Sequence, residues 1–260
     1  MDALVTAAGP MPDSLRAVCD ADYKCLLPVD GVRLIDRCLG ALHAADSVGR
    51  VCLVAPPALR DSLPLREGDL WVDDQGSGHA NFMAGLAALA DQEQILFVAS
   101  DVPFVNAAGL DDLVARAPAG IGFALPIYAR ADVERVLPDA TNKYVPFVEG
   151  DLTATSVMVV SPTLMAAHRE RVETLFNARK HFARLFAMIG LGTAVRFLLA
   201  MKLGWRLLRV ADLEARIARL LGFPVQALFG CDPVFNFDID HDRDWRECLA
   251  LLEHRRAAAG

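Results

Sequence analysis

The sequence lacks the features that would mark a zinc-bound, disulfide-linked or membrane-spanning protein. Its six cysteines show no CxxC spacing and no nearby histidine pair, so neither a zinc site nor a disulfide framework is indicated. No uninterrupted apolar stretch reaches the roughly 20 residues of a spanning helix, although 54% of the residues are hydrophobic. The chain also begins without the basic region and apolar core of a secretory signal. We therefore expect a cytoplasmic protein with reduced thiols.

The chain as a whole has few positive charges relative to negative ones, and its positive charge is concentrated in one segment. The net charge of −7 argues against general nucleic-acid binding. Residues 165–222, however, contain eleven Lys and Arg against four Asp and Glu, a net charge of +7, so the rest carries −14. This segment predicts a local contact with something anionic, through peripheral membrane binding, a phosphorylated acceptor or a partner. A solvated helical lid or a dimer surface is the simpler interpretation.

The pattern of apolar residues predicts an α/β protein. Buried strands without charge alternate with segments of helical periodicity, as in parallel sheets covered on both faces. The length of 260 residues suits one large domain, 1–260, with residues 162–222 as a helical insertion. Within that insertion, apolar spacing predicts four helices: Thr163–Asn177, Lys180–Ile189, Thr193–Leu203 and Asp212–Leu221. The last predicted strand of the chain is Val234–Ile239.

Lysine is rare enough that its positions are informative. There are only four, at Lys24, Lys143, Lys180 and Lys202. Lys24 ends a loop of about a dozen residues, a length that favours function over simple connection. The loop begins with Ala7-Ala8-Gly9, whose small side chains let backbone N–H groups approach a phosphate, to which Lys24 would supply a point charge. An ordinary turn with a solvated lysine is the alternative.

Two further stretches lie where strands of the predicted sheet end. Asp101 directly follows the apolar strand Ile95–Ser100, so its carboxylate should face the ligand crevice at the carboxyl edge of the sheet. We predict it to be a metal ligand. Gly76 to Asn81 precede a helix and could place backbone against a base or a phosphate. A plain loop capped by Ser77 or Asn81 is an equally simple explanation.

The strand, the small-small-Gly turn, the long loop and the Lys-x-Leu-Leu-Pro-x-x-Gly element of residues 24–31 together resemble the MobA-like nucleotidyltransferase family. The resemblance implies a three-layer, Rossmann-like fold of GT-A type, with a mixed, mostly parallel sheet between helices. It also implies transfer of a nucleoside monophosphate from a nucleoside triphosphate to a phosphate-bearing acceptor. Lys24 and Asp101 would then be catalytic. Nucleotide contacts would come from Ala7, Ala8, Gly9, Lys24, Gly76, Ser77, Gly78 and Asn81.

The same resemblance implies a magnesium site. Asp101-Val102-Pro103 is similar to the Asp-x-Pro element through which the family binds Mg²⁺. Alignment of residues 240–245 on the family's terminal element makes Asp240 the second ligand, with Asp238 as its alternative, because strand alternation would put both on one face. Acidic residues that merely favour the start of the last helix are the competing explanation.

The acceptor and the alternative functions are less closely defined. Candidate acceptor contacts are Asn142, Lys143, Thr153 and Thr155, for a sugar phosphate, an alcohol phosphate or a molybdopterin. A non-catalytic nucleotide-binding or regulatory protein on the same fold stays open. A glycosyltransferase would require an Asp-x-Asp pair after a mid-chain strand, whereas Asp238-Ile239-Asp240, which has this spacing, comes late in the chain.

Overall fold

The structure is a computed structural model that describes residues 1–138, 142–178, 188 and 190–259, with side chains to residue 256. Its described strands are β1 (Asp2–Thr6), β2 (Pro28–Val29), β3 (Val32–Arg33), β4 (Val51–Ala55), β5 (Leu70–Asp73), β6 (Ile95–Ala99), β7 (Phe123–Ala129), β8 (Val145–Phe147), β9 (Gly150–Ala154), β10 (Val157–Val160) and β11 (Val225–Leu228). Its described helices are α1 (Asp13–Arg16), α2 (Leu34–Ala44), α3 (Gly78–Ala88), α4 (Ala107–Arg116), α5 (Arg130–Val136), α6 (Pro162–Ala167), α7 (Arg169–Ala178), α8 (Leu191–Leu203), α9 (Val210–Leu221) and α10 (Asp242–Ala259).

Nine of these strands form one mixed sheet in the order β5-β4-β1-β6-β10-β7-β9-β8, and β11 pairs with β7. Strands β5, β4, β1 and β6 are mutually parallel, as are β7 and β11. β10 is antiparallel to both of its neighbours, and β9 is antiparallel to β7 and β8. The carboxyl ends of four parallel strands therefore meet at one edge, where ligands bind in open α/β sheets.

Helices cover both faces of the sheet, which explains why its central strands carry no charge apart from Asp2 at the start of β1. In β1, Ala3 and Val5 are fully buried against the face covered by α2, α4 and α10. Leu4, between them, is buried against the side chains of α3, α6 and α7. A third apolar cluster packs α8 and α9 against β8 and β9. The predicted mostly parallel, three-layer architecture is confirmed.

The predicted strand Val234–Ile239 is wrong. Residues Pro233–Asn236 form a 3₁₀ turn, because the Asp232 carboxylate accepts a hydrogen bond from the Val234 N–H and Pro233 fits the first position of a helical turn. The residues that follow, up to Asp240, are not in a strand. The prediction that strand alternation puts Asp238 and Asp240 on one face is therefore wrong in its reason, because the two residues are not in a strand.

The described part of segment 162–222 consists of helices and their connections, but the helices differ from the predicted ones. The predicted helix Thr163–Asn177 is two helices, α6 and α7, with a break at His168. α8 and α9 each begin two residues before their predicted starts. The predicted helix Lys180–Ile189 lies outside the described residues, and the insertion stays a prediction. Among the described helices, none is long and apolar enough to cross a membrane.

Candidate active site

One ammonium group joins two carboxylates that are far apart in the sequence. The Lys24 Nζ donates a hydrogen bond to Asp101 Oδ2 and another to Asp240 Oδ1, each at 2.6 Å. The two carboxylate oxygens therefore lie at most twice that distance from each other. The Lys24 side chain is 12% exposed and that of Asp240 is 62% exposed. The three residues form one site that is closed around Lys24 and open on the Asp240 side.

The long loop after β1 folds back on itself and so delivers Lys24 to this site. The Lys24 N–H donates to the Gly9 carbonyl at 2.9 Å, and the Met11 N–H donates to the Asp22 carbonyl at 2.8 Å. Lys24 then opens a short 3₁₀ turn, Lys24–Leu26. These bonds close the loop at its base, so the start of the loop and the ammonium group remain close together.

Asp240 reaches the site through main-chain contacts instead of a strand. Asp101 follows β6, and its carbonyl accepts a hydrogen bond from the Ile239 N–H at 3.2 Å. The Asp244 carboxylate then accepts hydrogen bonds from the N–H groups of Asp240 and His241, at 2.9 and 2.8 Å. Asp244 is the third residue of α10, so its carboxylate reaches back to the residues before the helix, as in one half of a capping box.

Two residues that fix this geometry were missed in the sequence. Asp244 could have been found, because an acidic residue at the third position of a helix is a capping signal. Trp245 carries no such signal. Its indole N–H donates to the Pro28 carbonyl at 2.8 Å and thereby ties α10 to the element that follows Lys24. Sequence patterns do not specify a contact between residues 217 positions apart.

The electrostatics of the site are dominated by negative charge. Burial alone would lower the pKa of Lys24, but the Asp101 and Asp240 carboxylates outweigh that effect and raise the pKa. Desolvation of its carboxyl group raises the pKa of Asp238 to about 6, and the charges of Asp101 and Asp240 add to the shift, although the residue as a whole is exposed. Asp238 thus belongs to the same electrostatic cluster. Lys24 contacts the carboxylates of Asp101 and Asp240 only, and the charge of Asp238 adds to the excess of negative charge.

The carboxylates suit a hard divalent cation. Magnesium prefers oxygen ligands and keeps water or substrate phosphates in its coordination shell. Asp101 Oδ1 is buried and has no hydrogen-bond partner among the described residues, so it is an oxygen without a donor of its own. The described part of the chain contains no cluster of three or more His, Cys, Asp or Glu side chains arranged to hold a metal. Here the protein would supply two carboxylates, and water or substrate phosphates would supply the remaining ligands.

The small residues after β1 offer fewer free donors than expected. The Ala7 N–H donates to the Val54 carbonyl at 2.8 Å and so continues the pairing of β1 with β4. No hydrogen bond from the N–H of Ala8 or Gly9 is found among the described residues. Gly9 is exposed, with open space around its Cα. The donors available for a phosphate at this turn are therefore those of Ala8 and Gly9.

The loop after β5 lies at the same edge of the sheet, but its side chains are occupied. Ser77 caps α3 by accepting a hydrogen bond from the Ala80 N–H at 3.2 Å. The side chain of buried Asn81 accepts a hydrogen bond from the Gln75 N–H at 2.6 Å and donates one to the Asp74 carboxylate at 2.7 Å. Ser77 and Asn81 therefore shape the loop. Gly76, with a φ of +78°, and Gly78 are exposed, but the Gly76 N–H donates to the Asp74 carboxylate at 3.0 Å.

Two of the four predicted acceptor residues line a cavity. Lys143 and Thr153 line a mainly apolar cavity of about 390 Å³ between β7, β9 and β11 on one side and α9 on the other. Thr155 has a structural contact instead, because its hydroxyl donates to the Phe235 carbonyl in the turn that leads to Asp240. Asn142 lies half-buried just before β8.

Comparison with solved structures finds the same fold over nearly the whole chain. A hypothetical transferase from Thermus thermophilus has a TM-score of 0.79 and 23% identity over 94% of this chain and 98% of that one. A 4-diphosphocytidyl-2C-methyl-D-erythritol synthase from Anaerococcus prevotii gives a TM-score of 0.58 at 14% identity, with 97% and 95% covered. A nucleotidyl transferase from Methanothermobacter thermautotrophicus gives 0.54 at 19% identity, with 97% and 98% covered.

At these identities the structural likeness shows a shared fold. No curated protein matches the chain. The family comparison is more specific, because the model of the MobA-like NTP transferase domain matches residues 3–202, which include β1, the long loop with Lys24 and the end of β6. The chain therefore belongs to the MobA-like NTP transferase family and is a nucleotidyltransferase.

Proposed function

We propose that this protein transfers a nucleoside monophosphate from a nucleoside triphosphate to a phosphate-bearing small molecule, in a Mg²⁺-dependent reaction that releases pyrophosphate. The observation that carries the proposal is the ammonium group of Lys24 between the carboxylates of Asp101 and Asp240. A site that already stabilises a cation between two acids, beside free backbone donors, suits a metal-bound triphosphate.

Each residue of the site has a distinct part in this proposal. Asp101 and Asp240 would hold Mg²⁺, with Asp238 as a further carboxylate close by. The bound ion would neutralise charge on the triphosphate oxygens. Lys24 would then donate to a phosphate oxygen, and the N–H groups of Ala8 and Gly9 would bind the phosphates from the other side.

The chemistry requires little acid or base catalysis from the protein. An ionised phosphate of the acceptor is already a nucleophile, and its oxygen would form a new bond to the α-phosphorus of the nucleotide. The bond from that phosphorus to the bridging oxygen of pyrophosphate would break, and the electron pair would leave with pyrophosphate. Positioning of the two substrates and stabilisation of charge by Lys24 would therefore account for most of the rate enhancement.

The acceptor would bind beside β9, where Lys143 and Thr153 line the cavity. Lys143 offers a charge for a phosphate, and the apolar lining suits an uncharged body of the molecule. We therefore propose a sugar phosphate, an alcohol phosphate or a pterin phosphate as the acceptor class. The nucleotide base would lie against the backbone of Gly76 and Gly78.

Pyrophosphate release tests the proposal directly. We would measure it with each of the four common nucleoside triphosphates, against a panel of phosphorylated sugars, alcohols and molybdopterin, with and without Mg²⁺. Lys24→Ala and Asp101→Asn should each lower kcat by on the order of a hundredfold or more. Lys202→Ala, which changes an exposed lysine of α8, is the control and should leave kcat with a soluble acceptor unchanged. Unaltered turnover in both site variants would refute the assignment.

A nucleotide-binding protein without catalysis is the second candidate. The specific observation in its favour is the reduced donor set of the first loop, where the Ala7 N–H is engaged with Val54. Both candidates predict that a nucleoside triphosphate with Mg²⁺ raises the unfolding temperature. Formation of pyrophosphate with any acceptor of the panel separates them.

A further inference from the structure

Helix α8 and the loop after it expose a large apolar surface. We define the α8 face by its exposed apolar side chains, which are Leu191, Val195, Leu198, Met201, Leu203, Trp205 and Leu207. The most exposed is Leu191, at 79%, and Trp205 is 54% exposed. Scattered exposed apolar residues are normal on a protein surface, but a contiguous group of this size on one element indicates an interaction site.

The α8 face is the side of the helix turned away from the protein. Leu191, Val195 and Leu198 follow one another at intervals of four and three residues, so they lie on one side of the helix. Phe197 and Ala200 are buried in the apolar cluster with Phe147 of β8. The helix is thus apolar on two sides, although only one of them has a partner among the described residues.

The charge around the α8 face is of one sign. From residue 174 to residue 211 the sequence contains seven Lys and Arg and no Asp or Glu. Arg196, Lys202 and Arg209 are exposed, and none of them has a carboxylate within ion-pair distance in the part of the chain that the structure describes. Arg206 contacts Asp151 at 3.3 Å. The apolar face is therefore bordered by cations that remain available to an external anion.

From this combination we infer that the α8 face docks the protein on the surface of an anionic lipid bilayer. Exposed Leu, Val and Met would enter the boundary between headgroups and acyl chains, while the flanking Lys and Arg bind the lipid phosphates. Trp205 stands just past the end of α8, which is the kind of position that tryptophan occupies at membrane interfaces. The inference concerns a surface and does not depend on the proposed reaction.

Charge argues against a second copy of the chain as the occupant. A twofold dimer brings the same patch of both subunits together, so the basic borders of the two α8 faces would meet. Residues 174–211 contain no acidic side chain that could compensate that repulsion, and like charges across an interface are costly. An anionic bilayer complements both the apolar face and its border.

Vesicle binding tests the inference with the full-length protein. We would measure co-sedimentation with vesicles of phosphatidylcholine alone and with vesicles that contain phosphatidylglycerol. Binding should require phosphatidylglycerol and should be lost in high salt, because the contribution of surface charges is screened. In the bound state the fluorescence of Trp205 should shift to shorter wavelength, and Trp205→Phe should remove that shift. Absence of binding to the anionic vesicles would overturn the inference.

Matched variants separate this face from the rest of the surface. Val195→Gln with Leu198→Gln should lower the partition coefficient at least about tenfold. Val32→Gln is the control, because Val32 is 42% exposed and Val195 is 48% exposed. Arg196→Gln and Lys202→Gln should each lower the partition coefficient about fivefold, whereas Arg135→Gln on α5 should leave it unchanged.

Two further outcomes would also count against the bilayer. If the α8 variants and their controls bound equally well, another surface would be responsible. If the protein formed a dimer in light scattering that Val195→Gln with Leu198→Gln dissociated, without any vesicle binding, the occupant would be a second copy. Circular dichroism spectra identical to wild type would show that the variants are folded.

Discussion

A single ammonium group balances two carboxylates at the centre of the site. Lys24 lies between Asp101 and Asp240 at 2.6 Å from each, in the position that a cation must take to interact with both. The pKa of Lys24 is raised because this attraction exceeds the cost of burial. Without Lys24 the carboxylates would repel each other, and another cation could compensate.

Lys24→Met should therefore make the stability of the protein depend on Mg²⁺. We expect Mg²⁺ alone to raise the unfolding temperature of the variant by more than it raises that of wild type, by about 2–4 °C for each kcal/mol of binding free energy. Differential scanning fluorimetry with increasing Mg²⁺ measures this. Lys202→Met is the control and should respond like wild type. An identical response of all three proteins would show that Lys24 does not occupy a cation position.

The cysteines make a second prediction at the scale of single residues. Burial raises the pKa of the thiols of Cys25, Cys38, Cys52 and Cys248 to about 12 and that of Cys231 to about 11. At pH 8 hardly any of these five groups is therefore present as thiolate. Cys19 is half-buried and free. Ellman's reagent at pH 8 should therefore detect one fast thiol in the native protein and six after denaturation. Cys19→Ser should lose the fast phase, and a remaining fast thiol in this variant would contradict the structure.

Charged residues next to a strand or a long loop could be singled out from the sequence. Residues whose part depends on a contact between distant segments could not. Lys24 and Asp101 were singled out because one is a rare lysine after a long loop and the other follows an apolar strand, and the structure brings their side chains into contact. Asp240 was found from its resemblance to a family element, although the strand proposed to place it does not exist. Trp245 could not be found, because its bond to Pro28 depends on how α10 lies against the loop.

Helix α3 and strand β1 pack closely against each other in the core. Gly85 of α3 lies against the Leu4 side chain, and a Cβ at this position would collide with it. Gly85→Ala should therefore lower the free energy of unfolding by about 1–3 kcal/mol. Urea unfolding followed by circular dichroism measures the change.

Gly40→Ala is the control for this substitution. Gly40 is exposed in the middle of α2, and a methyl group at this position would meet no other described residue within 4 Å. Alanine should stabilise the helix here by about 0.4–1 kcal/mol, since it restricts the unfolded chain and has the higher helix propensity. If both substitutions changed the free energy of unfolding in the same direction, the conclusion that Leu4 leaves no room for a side chain at Gly85 would be wrong.

The start of α10 links helix capping to the site. Asp244→Ala removes the acceptor for the N–H groups of Asp240 and His241. We expect a loss of about 1 kcal/mol in stability, as for other capping residues. We also expect weaker binding of a nucleoside triphosphate with Mg²⁺, because Asp240 is no longer held in place. Calorimetric titration measures the binding.

Asp242→Ala provides the comparison within the same helix. Asp242 is also acidic and in the first turn, but its carboxylate pairs with Arg246 instead of the Asp240 backbone. This variant should lose less stability and bind the nucleotide like wild type. Equal loss of binding in both variants would mean that charge in the first turn matters and that the hydrogen bonds of Asp244 do not.

Element types were predicted better than the irregular segments between them. The strand before the Ala7-Ala8-Gly9 turn, β1, and the predicted strand Ile95–Ser100, β6, lie where the sequence indicated, because their apolar runs are uninterrupted. Residues Val234–Ile239 were taken for a strand, because the alternating apolar residues Phe235, Phe237 and Ile239 match a strand over so short a distance. His168 breaks the helical segment into α6 and α7 without a proline or a glycine to signal the break.

At the scale of the whole molecule, charge and apolar surface are separated between two regions. The sheet and its two helical layers form the acidic body that contains Lys24, Asp101 and Asp240. Helix α8 of the basic segment lies near the far edge of the sheet, where it packs against β8. Composition predicted the asymmetry of charge. It could not predict which apolar side chains of the segment face outward, because that depends on the packing of Phe197 and Ala200 against the sheet.

The central claim is that Asp101 and Asp240 act on one shared cation, and a double-mutant cycle tests it most directly. Calorimetry would give the gain in nucleoside triphosphate affinity on addition of Mg²⁺ for wild type, Asp101→Asn, Asp240→Asn and the double variant. If the cation is shared, each single substitution should remove most of the gain, and the double variant should lose little more than either. Losses that add within about 0.5 kcal/mol would show two independent groups and would contradict the account.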